Sequence, residues 1–426
     1  MKNKPNSESS SESSDKTDFL LLTNKPGLVY LDSAATSQKP EAVISAVIDF
    51  YLLRNANPHR SLYPLADEAT AALENARETV ARFIGAKAPN SIVFTSGTTM
   101  GTNVVAYAWA NNNLKAGDII ISTIMEHHAN IVPWQNIANS GSGISLQLVG
   151  MSDDGILDLG DLEQKLIDGG GRVKLVCVGH VSNVLGTLNP IRKIATLAHR
   201  YGAAILVDGA QAMGHMKVNV SNLNVDFYAF SGHKMLGPLG SGALYVAPRR
   251  HLEMGIMFGG GDMISRVTPE RAWYKPMPYR LEAGTQSVAD IVGMEAAIKY
   301  LESFGMNNIH KNIKRLGTYA WNKLKEIPNI KLLGPGPGKD WSGSLVSFTF
   351  DHDGAPNAAR IKDSELATEL GKRNICVRSG LFCAQPLVEN RLRLSGSVRA
   401  SFHGYNDSAD VDKLVFEIKN ILEDNK

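Results

Sequence analysis

A carboxylate and an amine follow two consecutive strand-like segments of the chain. Asp208 comes directly after the apolar run 203–207, and Lys234 stands in the glycine-rich turn after the run 227–230. Ligands of open α/β sheets bind at the carboxyl ends of the strands. A lysine there can form a Schiff base with pyridoxal phosphate, and an aspartate can keep the pyridinium nitrogen protonated. Either residue alone is more often a turn or surface residue, but together they indicate a pyridoxal-phosphate site.

A second feature is the segment 96–101, which follows the short apolar run 91–94 and precedes a helical pattern. Backbone amides and the hydroxyls of Thr98 and Thr99 can hold a phosphate at the positive end of such a helix. Serine and threonine also serve as ordinary helix N-caps, and the two roles are compatible.

The three cysteines differ in their surroundings. Cys177 and Cys376 lie inside apolar runs, which predicts inert core residues. Cys383 stands in a segment flanked by Gly380 and Pro386, which is typical of an accessible loop. Three cysteines cannot form a disulfide framework, and without a Cys-x-x-Cys pair a structural zinc site is not expected. The sequence therefore predicts a reducing compartment, no metal, and one candidate reactive thiol.

A sheet must bring these strand ends together, and the hydrophobic pattern predicts one. The runs 118–122, 173–178, 203–207 and 227–230 are nearly continuous apolar segments, which is typical of parallel strands buried on both faces. Helical patterns, for example at 65–83 and 191–201, alternate with them. This alternation predicts an α/β fold with a doubly wound, mainly parallel sheet.

The C-terminal part of the chain changes character after the Gly-Pro cluster at 334–338. Strand-like segments at 344–350, 375–378 and 392–400 alternate with helical ones at 364–373 and 411–422, which predicts a smaller α+β domain. The expected organisation is a disordered Ser/Glu-rich tail (1–17), a segment that packs on the small domain (18–35), a large cofactor-binding domain (36–300) and the small domain (301–426).

Composition narrows the class of protein. The chain has 426 residues, of which 43% are hydrophobic and 20% charged, so disorder along its whole length is excluded. Its 44 basic and 42 acidic residues give a net charge of +2, which does not favour nucleic acid. The apolar runs are far shorter than the ~18 residues that a membrane span needs. The acidic tail lacks the apolar core of a secretory signal and the arginines of a transit peptide, so we expect a cytoplasmic protein.

The order of short motifs in the chain resembles that of class V pyridoxal-phosphate enzymes, specifically cysteine desulfurases of the SufS type. The matching stretches extend over most of the chain, from about residue 28 onward; they are 30–40, 97–99, 125–130, 207–211, 231–234, 282–285 and 398–401. The resemblance implies fold type I, in which a large and a small domain form each subunit of a homodimer.

The resemblance also implies a role for each matching residue. It assigns the substrate carboxylate to Arg399 and the sulfur-accepting nucleophile to Cys383. The ring-stacking histidine matches His127, which can also relay a proton, although the sequence alone cannot distinguish it from the adjacent His128. Asn183 matches a position near cofactor and substrate. The remaining cofactor contacts are Thr98, Thr99, Asp208, Gln211, Ser231, His233 and Lys234, with Thr285 donated to the phosphate by the second subunit.

The implied reaction converts L-cysteine to L-alanine and leaves the sulfur on Cys383 as a persulfide, for iron–sulfur cluster assembly or another sulfur-transfer pathway with an acceptor protein. Arg378, close in sequence, is expected to favour the thiolate. The chain departs from the SufS type at two places. Leu381-Phe382 replaces the usual His-His before the cysteine, and Met100 stands where glutamate is frequent. The apolar pair is expected to leave the thiol less ionised.

Two other functions stay open at this point. One is a selenocysteine lyase or another C–S lyase of the same superfamily, in which Cys383 is idle. The other is an inactive paralogue that acts as a binding partner in a sulfur-transfer assembly, although the intact Lys234, Asp208 and Arg399 argue against it.

Overall fold

The computed structural model describes residues 16–59, 62–350 and 361–424. The predicted disordered tail lies, except for its last two residues, outside the described part of the chain.

The described residues form two large groups of strands and helices. The strands are β1 (Val29–Tyr30), β2 (Ile92–Thr95), β3 (Ile119–Thr123), β4 (Ser145–Val149), β5 (Val173–Gly179), β6 (Ala204–Asp208), β7 (Phe227–Ser231), β8 (Gly242–Val246), β9 (Ile264–Val267), β10 (Ala272–Tyr274), β11 (Ile330–Leu333), β12 (Leu345–Phe350), β13 (Ile375–Cys376), β14 (Arg378–Gly380) and β15 (Ser397–Ser401). The α-helices are α1 (Leu20–Asn24), α2 (Glu41–Leu53), α3 (Pro64–Phe83), α4 (Thr98–Val104), α5 (Asn111–Asn113), α6 (Val132–Asn139), α7 (Leu159–Asp168), α8 (Ile191–Arg200), α9 (Val220–Leu223), α10 (Val288–Phe304), α11 (Met306–Lys325), α12 (Asp363–Lys372) and α13 (Ser408–Asp424). Val105–Ala110 and Pro386–Arg391 are π-helical.

A seven-stranded sheet forms the larger layer, in the order β2-β8-β7-β6-β5-β3-β4. Only β8 runs antiparallel to its neighbours, β2 and β7. Strand β6 shows why the sheet is buried on both faces: Ala204 and Leu206 belong to one hydrophobic core, and Ile205 and Val207 to the other. This confirms the predicted α/β fold with a mainly parallel sheet. Because β2, β3, β5, β6 and β7 run in the same direction, their carboxyl ends meet at one edge.

The C-terminal part builds a second, four-stranded antiparallel sheet in the order β11-β12-β15-β14. Helices α11, α12 and α13 cover it through a separate core, to which Leu324, Leu366 and Leu414 contribute. Strand β1 pairs in parallel with β13, and Asp32 bridges Ser401, so the N-terminal segment is tied to this part of the molecule. The exact domain boundaries stay a prediction.

One predicted strand of this region is wrong in extent. The sequence predicts a strand over 392–400, whereas β15 begins only at Ser397. The chain first turns back on the preceding π-helix, because the amide of Leu394 donates to the carbonyl of Val388 and Arg393 adopts a positive φ of 58°. Leu394 packs against the core of the large sheet instead of extending β15.

Within the described residues, no helix combines the length and the apolar character that crossing a membrane requires.

Candidate active site

A cavity of about 280 Å³ lies at the shared carboxyl edge of the large sheet, facing the C-terminal sheet. The segments at the ends of β2, β3, β5, β6 and β7 supply polar side chains to it. The residues that the sequence singled out and that line the cavity are Thr98, Thr99, His127, Asn183, Asp208, Gln211, Ser231, His233, Lys234, Arg378, Cys383 and Arg399. Thr285 does not line it; this residue is exposed and donates to Asn57 Oδ1 at 3.2 Å.

Asp208 and Lys234 are two ionisable residues that line the cavity. The amide of Ala210 donates to Asp208 Oδ1 at 2.9 Å. Burial nevertheless raises the pKa of Asp208, although the Ala210 amide and Lys234 both act to lower it. Burial lowers the pKa of Lys234 to about 8, against the attraction of Asp208. The lysine can therefore lose its proton near neutral pH, which a nucleophilic amine requires.

The segment after β2 forms a polar nest at one end of the cavity. The amide and hydroxyl of Thr98 each lie 2.8 Å from Ser231 Oγ. Gly97 has a φ of 144°, and a Cβ at this position would approach Ser231 Oγ to 3.0 Å, so the turn requires glycine. Amides and hydroxyls gathered at the start of a helical run, from residue 98 to residue 113, are donors suited to a phosphate.

The structure distinguishes the two adjacent histidines. His127 lines the cavity, and the amide of Ala129 donates to its Nδ1 at 3.1 Å, so the neutral ring carries its proton on Nε2. Burial, together with the charges of Lys234, His128 and Arg399, lowers the pKa of His127 to about 3. The ring is neutral at pH 7. His128 points instead to the turn that carries Cys383, where its Nε2 accepts from the amide of Gln385 at 3.1 Å.

Arg399 stands on β15 at the opposite wall. Its Nη1 donates to the carbonyl of Asn183 at 2.8 Å, and its Nη2 lies 3.4 Å from Asp32 Oδ1. Its guanidinium lies over the ring of Phe382, 4.7 Å from the centroid. Burial lowers the pKa of Arg399 to about 10, so the side chain stays charged at neutral pH. A buried, oriented guanidinium of this kind suits a carboxylate ligand.

The three cysteines differ in solvent exposure. Cys177 is buried, Cys376 is half-buried and Cys383 is exposed. Cys383 lies in a turn at the mouth of the cavity, where a thiolate would attract the charges of Lys234 and Arg399. The sequence pointed to Arg378 for this role, but Arg378 is exposed and pairs with Asp32 at 3.1 Å. The charge of Arg378 is therefore partly offset.

Comparison with known proteins places this geometry in a family. Residues 29–414 match the class-V aminotransferase family. The chain belongs to that family, whose cofactor is pyridoxal 5′-phosphate. It is 43% identical to a cysteine desulfurase of Haloferax volcanii, over 91% of this chain and 88% of the relative. It is 42% identical to a probable cysteine desulfurase of Staphylococcus aureus, over 95% of each chain.

Solved structures give the same result for this class-V chain. The cysteine desulfurase CsdA of Escherichia coli superposes with a TM-score of 0.86 at 36% identity, over 96% of this chain and 98% of the other. The cysteine desulfurase of Thermococcus onnurineus NA1 superposes with a TM-score of 0.88 at 35% identity, over 96% and 97%. These comparisons confirm the fold and the family that the motifs indicated.

The class-V site has donors and acceptors that fit pyridoxal phosphate. Among the described residues, four buried polar atoms at the cavity have no protein partner: Asn189 Oδ1, Gln211 Oε1, His233 Nδ1 and Arg399 Nε. Unsatisfied buried polar atoms are costly, so their clustering here is expected for a site that holds a polar ligand. Asp208, whose charged form is disfavoured by burial, would regain a partner in a protonated ring nitrogen.

Two site residues of this class-V chain were missed by the sequence reasoning. Asp32 accepts from both Arg378 and Arg399 and so orients the wall of the cavity; its position in the 30–40 motif, next to β1, was the available signal. Glu126 lines the cavity beside His127 and accepts from Thr123 and Asn130 at 2.6 and 2.7 Å. Burial raises the pKa of Glu126 to about 7, against these bonds.

Proposed function

We propose that the protein is a pyridoxal-phosphate-dependent cysteine desulfurase that converts L-cysteine to L-alanine and keeps the sulfur on Cys383. The observation that carries the proposal is the exposed Cys383 thiol at the mouth of the cavity that Lys234 and Arg399 line. The names of the similar proteins support it. A lyase with an idle cysteine does not need a thiol at this position, and an inactive paralogue does not need the paired Asp208 and Lys234.

The proposed roles follow from the contacts of each residue. Arg399 binds the substrate carboxylate through its buried guanidinium. When pyridoxal phosphate is bound, His127 would stack on its ring, the hydroxyls of Thr98 and Ser231 would hold its phosphate, and Asp208 would pair with its ring nitrogen. Further cofactor contacts are proposed for Thr99, Asn183, Gln211 and His233. When bound, pyridoxal phosphate supplies the electron sink that weakens bonds at the substrate carbons.

The sulfur step is a transfer between two sulfur atoms. The Cys383 thiolate forms a new S–S bond to the substrate sulfur as the C–S bond of cysteine breaks, and its own proton is released first. The three-carbon product takes up a proton at the former C–S carbon, which Lys234 is placed to deliver. The sum is L-cysteine plus thiol to L-alanine plus persulfide, with no outside oxidant or reductant. The exposed persulfide can then pass to an acceptor protein, for iron–sulfur cluster assembly or another use in the cytoplasm.

Product analysis tests this function against the lyase alternatives. The cofactor-loaded protein, given L-cysteine and a thiol reductant, is expected to form alanine and sulfide in equal amounts. A C–S lyase that eliminates sulfur would instead yield pyruvate and ammonia. Chromatography of the amino and keto acids separates these results. Pyruvate as the main product would exclude the desulfurase, and alanine from selenocysteine but not from cysteine would indicate a selenocysteine lyase.

A homodimer is the second part of the proposal. Helix α2 buries Val43 and Phe50 but exposes Ile48, Tyr51, Leu52 and Leu53, with relative exposures of 49–73%. A contiguous apolar face of this kind marks an association surface. Thr285 is exposed and contacts Asn57, a residue that follows closely after the end of α2. Thr285 does not line the cavity of its own subunit. We infer that a second copy covers α2 and that Thr285 reaches the phosphate of the partner subunit.

A charge on this face tests the dimer. Leu52→Glu is expected to shift the protein from dimer to monomer at micromolar concentration and to weaken cofactor binding, because the partner's Thr285 is lost. Phe416→Glu, on the exposed side of α13 at 61% exposure, is the matched control and should stay dimeric. Sedimentation velocity measures both. A wild-type monomer, or a Leu52→Glu dimer with wild-type cofactor affinity, would contradict the proposal.

A further inference from the structure

The turn that carries Cys383 is held to the large sheet by three hydrogen bonds. The amide of His128 donates to the carbonyl of Cys383 at 2.7 Å, and the amide of Gln385 donates to His128 Nε2 at 3.1 Å. The side-chain amide of Asn183 donates to the carbonyl of Phe382 at 2.8 Å. His128 thus contacts the turn at two points, through its backbone amide at Cys383 and through its ring at Gln385.

This turn is a conformation that must be held. Phe382 and Cys383 both have positive φ angles, 52° and 55°. Residues with a side chain avoid this region, and two of them in succession persist only where the surroundings fix them. Phe382 is fixed by packing, since its ring is buried in the core and lies against the guanidinium of Arg399. The exposed Cys383 has no such packing, so its position depends on the backbone bonds.

The hydrogen bond to Gln385 determines which nitrogen of the His128 ring carries the proton. Because Nε2 accepts the Gln385 amide proton, the neutral ring carries its own proton on Nδ1. His128 does not line the cavity, and its ring centroid is 6.3 Å from that of His127. Its place outside the cavity and its bond to the turn separate its role from the ring stacking proposed for His127.

We propose that His128 is a positioning residue for sulfur transfer, which holds the Cys383 turn in its strained conformation by accepting the Gln385 amide proton. The inference rests on the proposed function, because it takes Cys383 as the sulfur acceptor. If the hydrogen-bond acceptor His128 Nε2 is removed, the turn can relax, and the thiol then moves away from the substrate sulfur. A misplacement of about 1 Å in a reacting group can cost ~10²-fold in rate.

Three variants of the cofactor-loaded enzyme test this positioning role of His128. His128→Ala removes the acceptor, and His128→Gln carries a carbonyl oxygen at a comparable distance from the backbone. Gln385→Ala is the matched control, because it changes the side chain but keeps the amide that donates. We expect His128→Ala to keep the cofactor absorption and its response to L-cysteine, but to form alanine at least tenfold more slowly. His128→Gln should recover most of the rate, and Gln385→Ala should match the wild type.

Hydrogen exchange gives a second readout that needs no turnover. The amides of residues 383–387 should exchange faster in His128→Ala than in the wild type, and at nearly the wild-type rate in His128→Gln. A His128→Ala variant with wild-type exchange and wild-type alanine formation would overturn the proposal. So would a His128→Gln variant that behaves like His128→Ala in both measurements, amide exchange and alanine formation. If the wild type itself leaves no sulfur on Cys383, the proposed function fails, and the exchange data still decide whether His128 holds the turn.

Discussion

Lys234→Ala is expected to abolish conversion of L-cysteine and to change the absorption of the bound cofactor. Lys234 ends the turn after β7, lines the cavity with Asp208, and has a pKa lowered to about 8 by burial. It is the amine that can attack an aldehyde in this cavity and later carry a proton. We expect a loss at the upper end of, or beyond, the ~10²–10⁴-fold typical for removal of a general acid or base. Cofactor that remains should be removable by dialysis.

Lys39 provides the matched control for this variant. Burial lowers its pKa to about 8 as well, so an altered pKa does not distinguish the two lysines. Geometry does: the ammonium of Lys39 donates to the carbonyls of Ser37 and His233, and Lys39 does not line the cavity. Lys39→Ala should therefore keep the wild-type cofactor spectrum. Wild-type absorption and turnover in Lys234→Ala would disprove the assignment.

Cys383→Ala is expected to bind the cofactor and respond spectrally to L-cysteine, yet to form almost no alanine from it. The residues that bind cofactor and substrate carboxylate do not require the thiol, whereas the C–S bond of cysteine cannot be cleaved by sulfur transfer without one. We expect a loss of ~10²-fold or more, in line with removal of an activated nucleophile or its base. Selenocysteine should be affected less, because selenium leaves more easily.

Cys376→Ala and Cys177→Ala are the controls for this variant. Burial raises the pKa of both thiols, and Cys177 lies inside strand β5. Both variants should transfer sulfur at nearly the wild-type rate, although Cys177→Ala leaves a small cavity in the core. Full activity of Cys383→Ala with L-cysteine would move the protein to the lyase function.

The sheet could be predicted from the sequence because each of its central strands is a short apolar run. Strands β5, β6 and β7 lie close to the predicted runs, and their burial on both faces is what a continuous apolar pattern indicates. The segment 392–400 could not be predicted as well. Its apolar residues serve two cores: Leu394 packs on the large sheet and Val398 on the small one. Apolar spacing does not show which of two surfaces a side chain faces.

Some features of the site could also be predicted from the sequence, whereas others depend on contacts that only the three-dimensional structure shows. Asp208 and Lys234 follow successive strands, so their meeting at one edge could be predicted from order alone. Asp32 and Arg399 are separated by most of the chain, and no spacing could reveal that they contact each other. The roles of His127 and His128 depend on which ring faces the cavity and which faces the Cys383 turn. The two histidines are adjacent in the sequence, so their local sequence does not show which ring takes which role.

The most direct test of the account is the location of the sulfur after reaction. Cofactor-loaded wild-type protein is mixed with L-cysteine, its thiols are alkylated without reduction, and the peptides are analysed by mass spectrometry. We predict one additional sulfur atom on the peptide that contains Cys383, formed together with alanine, and none on those with Cys177 or Cys376. Alanine formed while Cys383 carries no sulfur, or an additional sulfur on either other cysteine alone, would contradict the central claim.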